Sequence, residues 1–207
     1  MTHILYLTTS PRGPESYSRR VASQVLDEVR ARHPDATLNV RDLARDPLPH
    51  IDEDFVAATR GPDGAQTAAQ KAIRATSDAL VDELLKADIV VIAAGMINFT
   101  IPSTLKSWID YVARAGRTFS YSEAGPKGLA TGKHVILVAA SGGVYSDKRA
   151  LDFQVPYLKH VLGFLGMTNV EVVEVEGTAF GPEAAEKAVT AASRKVTEGC
   201  AKAAAAA

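Results

Sequence analysis

Ile89-Val-Val-Ile-Ala-Ala-Gly-Met-Ile-Asn-Phe-Thr-Ile-Pro102 runs from a wholly apolar segment into a residue that starts helices. Its first part, Ile89–Ala94, is the most apolar run in the chain and follows Asp88. An unbroken apolar run of that length reads as a strand covered on both faces, not one with a wet side. Pro102 has no N–H and a φ already suited to a helix, so it belongs at a helix start. The amphipathic segment Ser103–Ala113 supplies that helix. The turn Gly95–Thr100 therefore lies at the carboxyl end of a central parallel strand, where open α/β sheets bind ligands. Asn98 adds an amide, and Met96 and Phe99 add apolar, polarizable surface suited to a flat ring. An ordinary strand-to-helix turn with a capping Asn or Thr would carry the same local features.

Outward from this stretch the chain alternates strands and helices. Ile4–Leu7 reads as the first strand, and Ser10–Ser16 as a loop rich in turn residues. Ser16–Arg32 reads as a helix with Val21, Val25, Leu26 and Val29 on one face. Residues 36–41 alternate and read as an edge strand. The connection Asp42–Gly64 carries Pro47, Pro49 and Pro62 and is too long for a simple turn. Leu48, Ile51, Phe55 and Val56 punctuate it, so it is expected to pack against the domain. Thr67–Lys86 reads as a second long helix with Ile73, Leu80, Leu84 and Leu85 inward. Residues 117–132 read as a small hairpin-like excursion, with Gly125-Pro126 marking a turn. His134–Ala139 is another buried strand, Asp152–Leu165 a helix, 169–176 the other edge strand, and Pro182–Lys202 the closing helix.

Five strands alternating with five helices make an α/β, doubly wound parallel sheet in one domain, residues 1–207. Two half-exposed edges around three buried strands, joined by right-handed crossovers, fit the order 2-1-3-4-5. That is the flavodoxin-like arrangement, with the excursion coming after the third strand. Its switch point lies between the first and third strands, flanked by Ser10–Ser18 and by the turn at 95–99.

Composition narrows the function. The chain has 207 residues and 46% hydrophobic residues, enough for a sizeable core. Lys plus Arg number 23 against 24 Asp plus Glu, so the basic bias of a nucleic-acid or membrane-surface protein is missing. One cysteine, Cys200, rules out an internal disulfide and suits a reducing, cytoplasmic setting. No apolar run approaches membrane-spanning length, and Ala203–Ala207 reads as a fraying helix end. The five histidines are dispersed, so no metal is expected. No Gly-x-Ser-x-Gly elbow occurs, and Cys200 on a polar terminal helix lacks support as a nucleophile.

Three loops meet at the expected switch point. The first carries Thr9, Ser10, Ser16, Tyr17 and Ser18. Ser16 alone reads as a helix cap. Several hydroxyls before a helix N-terminus, where N–H groups are free and the dipole is positive, make an anion site. Arg12, Arg19 and Arg20 stand close enough in sequence to assist, or to be solvated helix arginines. Neither a triphosphate P-loop nor a Gly-x-Gly-x-x-Gly fingerprint is present, which leaves a mononucleotide with a terminal phosphate. The third loop, Ala140-Ser-Gly-Gly143, lets backbone approach a ligand or simply forms a flexible turn.

Ser10…Ser16-Tyr-Ser18, Met96-Ile-Asn-Phe99 and Ser141-Gly-Gly143 together resemble the FMN-dependent NADH azoreductases, also called NADH:quinone oxidoreductases. The similarity runs nearly end to end and includes Val112-Ala-Arg-Ala-Gly116, Gly125-Pro, Pro156-Tyr-Leu158 and Glu176-Gly177. It implies a noncovalent FMN, NADH or NADPH as donor, a quinone or azo compound as acceptor, ping-pong turnover and a homodimer. On that resemblance Ser10 and Ser16–Ser18 hold the ribityl phosphate. Met96, Ile97, Asn98 and Phe99 line the isoalloxazine, and Ala140, Ser141, Gly142 and Gly143 its pyrimidine side. The sequence departs from the family where Ile97 replaces a usual Tyr, Ala140-Ser replaces Ser-Arg, and Tyr145 replaces a His of some members.

The flavin would carry the hydride chemistry, so no side-chain catalyst is assigned, although Tyr145 is a candidate proton donor. Backbone N–H groups near Asn98 and Gly142–Gly143 are placed to stabilise negative charge. Phe119, Tyr121 and Phe164 form either an apolar lid on a substrate cleft, across a dimer interface, or core packing. The rival function is a non-enzymatic electron carrier of flavodoxin type. Such carriers are usually strongly acidic, whereas this chain has a net charge of −1. A flavodoxin-like module without flavin is the third possibility.

Overall fold

The computed structural model describes residues 1–61, 66–123 and 125–205, with side chains up to residue 197. The features expected at Pro62 and Gly64, the surroundings of Cys200 and the last two alanines of Ala203–Ala207 lie outside that description. In chain order the elements are β1 (His3–Thr8), α1 (Tyr17–Arg32), β2 (Thr37–Asp42), α2 (Glu53–Arg60), α3 (Ala68–Lys86) and β3 (Ile89–Gly95). They continue with α4 (Ser103–Val112), β4 (Phe119–Ser122), β5 (Gly125–Gly128), β6 (His134–Ala140), α5 (Val155–Phe164), β7 (Asn169–Val175) and α6 (Pro182–Ala205).

The main sheet runs β2-β1-β3-β6-β7 and every pairing in it is parallel. Counted along the chain, its strands lie in the order 2-1-3-4-5, as the burial pattern required. β4 and β5 form a separate antiparallel hairpin, the expected excursion. Alternate residues of the three central strands go to opposite layers. Leu5, Leu7, Val90, Ile92, Val135 and Leu137 pack with Leu84, Trp108 and Leu158 on the side of α3, α4 and α5. Ile4, Tyr6, Val91, Ala93, Ile136 and Val138 pack with Val21, Val25, Val189 and Val196 on the side of α1 and α6. Both faces of β3 are thus covered, which is why Ile89–Ala94 tolerates no polar residue. Each large side chain in these layers contributes roughly 1.5–3 kcal/mol by burial.

Polar residues lock the frame. Lys133 is buried and its ammonium donates to the carbonyls of Leu85 (2.8 Å) and Ala87 (2.7 Å), closing the carboxyl end of α3. Burial lowers the Lys133 pKa, with Asp88 opposing. Arg41, at the wet edge, forks onto Glu83 of α3 through Nε at 2.6 Å.

The structure departs from expectation at three places. The long connection contains α2, whose N-cap Asp52 accepts the Phe55 N–H at 2.8 Å. Phe55 is buried against the Tyr111 ring (4.7 Å between centroids), but Ile51 and Val56 face solvent instead of packing. α5 begins at Val155, not Asp152, because the Asp152 carboxylate accepts the N–H groups of Gln154 (2.8 Å) and Val155 (3.1 Å). Gly125-Pro126 opens β5 instead of forming the turn.

Candidate active site

The loop after β1 enters the site tied down. Thr9 donates from its hydroxyl to the Ala93 carbonyl of β3 at 3.1 Å. Ser16 is the N-cap of α1, its hydroxyl accepting the Arg19 N–H at 3.3 Å and meeting the Ser18 hydroxyl at 3.1 Å. Ser10, Ser16 and Ser18 are buried. The N–H groups of Tyr17 and Ser18 donate to no acceptor among the described residues. The first turn of α1 is therefore both a capped helix start and a free donor set.

The three arginines separate. Arg19 is taken by Asp42, 2.8 Å away. Burial pushes the Asp42 carboxyl up, but the Arg19 hydrogen bond and charge, with the N–H groups of Arg45 and Ala44, outweigh it and hold the pKa below the ordinary value. Arg20 forks onto Glu186 of α6 at 2.6 and 2.8 Å. Arg12 remains at the site, its guanidinium 5.0 Å from the centre of the Tyr17 ring.

The turn after β3 is tight. Ile97 N–H donates to Thr100 O at 2.9 Å and Thr100 N–H returns to Ile97 O at 3.1 Å. Its two central residues, Asn98 and Phe99, have φ of 48° and 71°. Positive φ at both positions is the mirror-image hairpin turn, in which Asn is common and Phe is not.

The third loop leans on the loop after β7. Thr178 donates to the Ser141 carbonyl from its N–H (3.1 Å) and its hydroxyl (3.0 Å), and Ala179 N–H donates to Gly142 O at 3.1 Å. Gly177 N–H donates to Gly143 O at 2.9 Å.

These segments enclose a cavity of about 260 Å³. Ser10, Ser16, Tyr17 and Ser18 line one end, Met96 and Ile97 another, and Ala140, Ser141 and Gly142 the third. Asn98, Phe99 and Gly143 do not line it: the turn carries the first two outward, leaving Phe99 54% exposed, and Gly143 sits under the Tyr145 ring. The N–H groups of Asn98, Gly142 and Gly143 are nevertheless unclaimed among the described residues. Gly95 and Pro102, which bound the turn after β3, line the cavity as well, and so do Pro11, Thr178 and Ala179, which no motif pointed to. Thr178 and Ala179 follow the last strand at its carboxyl end, so the only signal for them is that ligands bind at the carboxyl ends of the strands in such sheets.

The chain and its fold have known counterparts. A family model described as the flavodoxin-like fold matches residues 2–199. An FMN-dependent NADH:quinone oxidoreductase of Agrobacterium fabrum is 56% identical over 200 residues, 96% of this chain and 98% of that protein. The chain belongs to this flavodoxin-like oxidoreductase family. An azoreductase from Bacillus anthracis superposes with a TM-score of 0.88 at 33% identity, covering 98% of this chain and all (100%) of that one. A second B. anthracis protein, an FMN-dependent NADH-azoreductase solved in complex with FMN, gives 0.86 at 25% identity over 96% of this chain and 99% of that one.

Within the family the departures now have places. Ile97 lines the cavity and is 46% exposed, so an apolar side chain stands at its mouth. Ser141 turns its hydroxyl back to the Gly143 carbonyl at 2.9 Å. Tyr145 lies behind the third wall, outside the cavity. Phe119, Tyr121 and Phe164 stand apart from the cavity of their own chain. Phe119 packs on Tyr121 (5.4 Å) and Phe164 (4.7 Å), and with Phe55 and Tyr121 it lines a separate hollow of about 310 Å³.

The cavity fits an FMN. One end offers hydroxyls, free helix N–H groups and a guanidinium, the donor set of a phosphate site. The other end is apolar, with a flat approach past Gly95, where an added Cβ would meet nothing within 4 Å. Among the described residues no cluster of three metal-ligating side chains occurs, and no helix is long and apolar enough to cross a membrane.

Proposed function

We propose that the chain is an FMN-dependent oxidoreductase of the cytoplasm that passes electrons from NADH or NADPH to quinones and aromatic azo compounds by a ping-pong mechanism. One observation carries this reading. A single switch-point cavity joins a phosphate-type donor set to an apolar slot, in a chain without a dinucleotide fingerprint. The names of the relatives agree with it.

Bound FMN supplies the hydride-accepting and hydride-donating chemistry. The Ser10, Ser16 and Ser18 hydroxyls, the Tyr17 and Ser18 N–H groups and Arg12 would hold its phosphate. Met96 and Ile97 would pack on the ring. The free N–H groups of Asn98, Gly142 and Gly143 lie on the turns flanking that slot, where they favour negative charge. Tyr145, lying behind the wall, is not assigned a proton.

The same reading includes a homodimer. Tyr121 is 72% exposed, and the hollow beside it mixes Phe55, Phe119 and Tyr121 with Arg60 and Asp110. Aromatic surface of that kind, unused by its own site, suits a partner's acceptor cleft. Sedimentation at micromolar concentration tests it, and a fully active monomer would rule it out. Phe119→Ala should raise the quinone KM and leave FMN affinity nearly intact. Steady-state NADH oxidation with a quinone, giving parallel double-reciprocal lines, separates an enzyme from an electron carrier.

A further inference from the structure

We propose that Glu176 is a positioning residue of the active site. Its carboxylate latches the turn behind the third cavity wall and so sets where the Ser141–Gly143 backbone meets the cofactor. The inference rests on the FMN reading above.

By pattern, Glu171, Glu174 and Glu176 belong to a solvated sheet edge. Glu176 does something else. One of its oxygens accepts the N–H of Tyr145 at 2.7 Å and the N–H of Ser146 at 3.0 Å. One oxygen accepting two adjacent N–H groups ties both ends of that peptide unit to a single point of the loop after β7. The residues on either side of Glu176 complete the joint: Ser141 N–H donates to Val175 O at 3.0 Å, and Gly177 N–H donates to Gly143 O at 2.9 Å. Loops 141–146 and 175–179 are thus one hydrogen-bonded unit, with Glu176 as the side-chain link between them.

That unit reaches the cavity wall. The hollow behind the wall is lined by Tyr145 and Glu176 on one side and by Met96 and Ser141 on the other, so the turn that Glu176 holds lies against Met96 and Ser141. Both of these residues line the cofactor cavity as well. Reach and acceptor geometry at position 176, more than charge, therefore govern the wall.

Three variants test this. Glu176→Gln keeps the reach and an acceptor oxygen, Glu176→Asp keeps the charge but is one methylene short, and Glu176→Ala has neither. FMN affinity is measured by fluorescence quenching on apoprotein whose fold is checked by circular dichroism. Exchange rates of the Tyr145 and Ser146 amides are followed in parallel. The Gln variant should bind FMN within about fivefold of wild type, and the Asp and Ala variants about tenfold or more weaker, the span of two lost hydrogen bonds. Both amides should exchange faster in Asp and Ala only. Unchanged affinity in Ala, or an Asp variant tighter than Gln, would overturn the proposal. Wild-type apoprotein that takes up no FMN would instead overturn the functional reading on which it rests. Should Ala fail to fold, the Gln–Asp order still decides.

Discussion

Phe99 holds a φ of 71° in the tight turn between Ile97 and Thr100, a place where glycine sits without strain. A side chain there brings its Cβ against the backbone, at about 1–2 kcal/mol. The ring is 54% exposed, so simple truncation would mix lost contacts with relieved strain. Comparing Phe99→Gly with Phe99→Ala removes the ring in both and leaves only the Cβ as the difference. At an ordinary position alanine is the more stable of the two by roughly 0.5–1 kcal/mol, because glycine loses more freedom on folding. At this φ the Cβ strain exceeds that gain. The glycine variant should therefore be more stable by about 0.5–1 kcal/mol, or a few degrees in Tm for a chain of this length. Urea unfolding of the two apoproteins, followed by circular dichroism with equal slopes, measures it. An alanine variant as stable as the glycine one, or more so, would refute the strained turn.

Three further outcomes follow from the site. Ser16→Ala with Ser18→Ala should weaken FMN binding at least tenfold in a calorimetric titration, since each bond to a charged phosphate is worth roughly 1.5–3 kcal/mol, while the lost cap costs the fold only about 1 kcal/mol. Gly95→Leu should abolish FMN uptake with little change in the apoprotein Tm, because its side chain enters open cavity space; normal uptake would remove Gly95 from the approach. Asp42→Asn should lower stability at neutral pH and converge with wild type in acid. The depressed Asp42 pKa means that the Arg19 pair stabilises above the unfolded carboxylate's pKa and is lost as pH falls through the folded value; denaturant midpoints across pH show whether the gap closes in that direction.

Much of this was legible from apolar runs and turn residues. Ile89–Ala94 and His134–Ala139 read as buried central strands, and two half-exposed edges around them fit the strand order and switch point that the structure has. The residues lining the cavity from Ser10 to Ser18 and from Ala140 to Gly142 were legible for the same reason. α2 was not, because Pro47, Pro49 and Pro62 dominate its surroundings and the signal is a single Asp52 cap before eight residues. Asn98 and Phe99 were expected to line the cavity, yet a mirror-image turn, set by φ and not by composition, carries them outward. Arg19 and Arg20 were spoken for by Asp42 and Glu186, partners 23 and 166 residues away that local spacing does not show.

The most direct measurement is anaerobic half-reaction spectroscopy of the FMN-reconstituted protein. Equimolar FMN should bind, its visible absorbance should bleach on adding NADH alone, and it should recover on adding a quinone after the nicotinamide has left. Bound FMN that NADH does not bleach, or a chain that retains no FMN, would rule out an FMN-dependent NADH oxidoreductase.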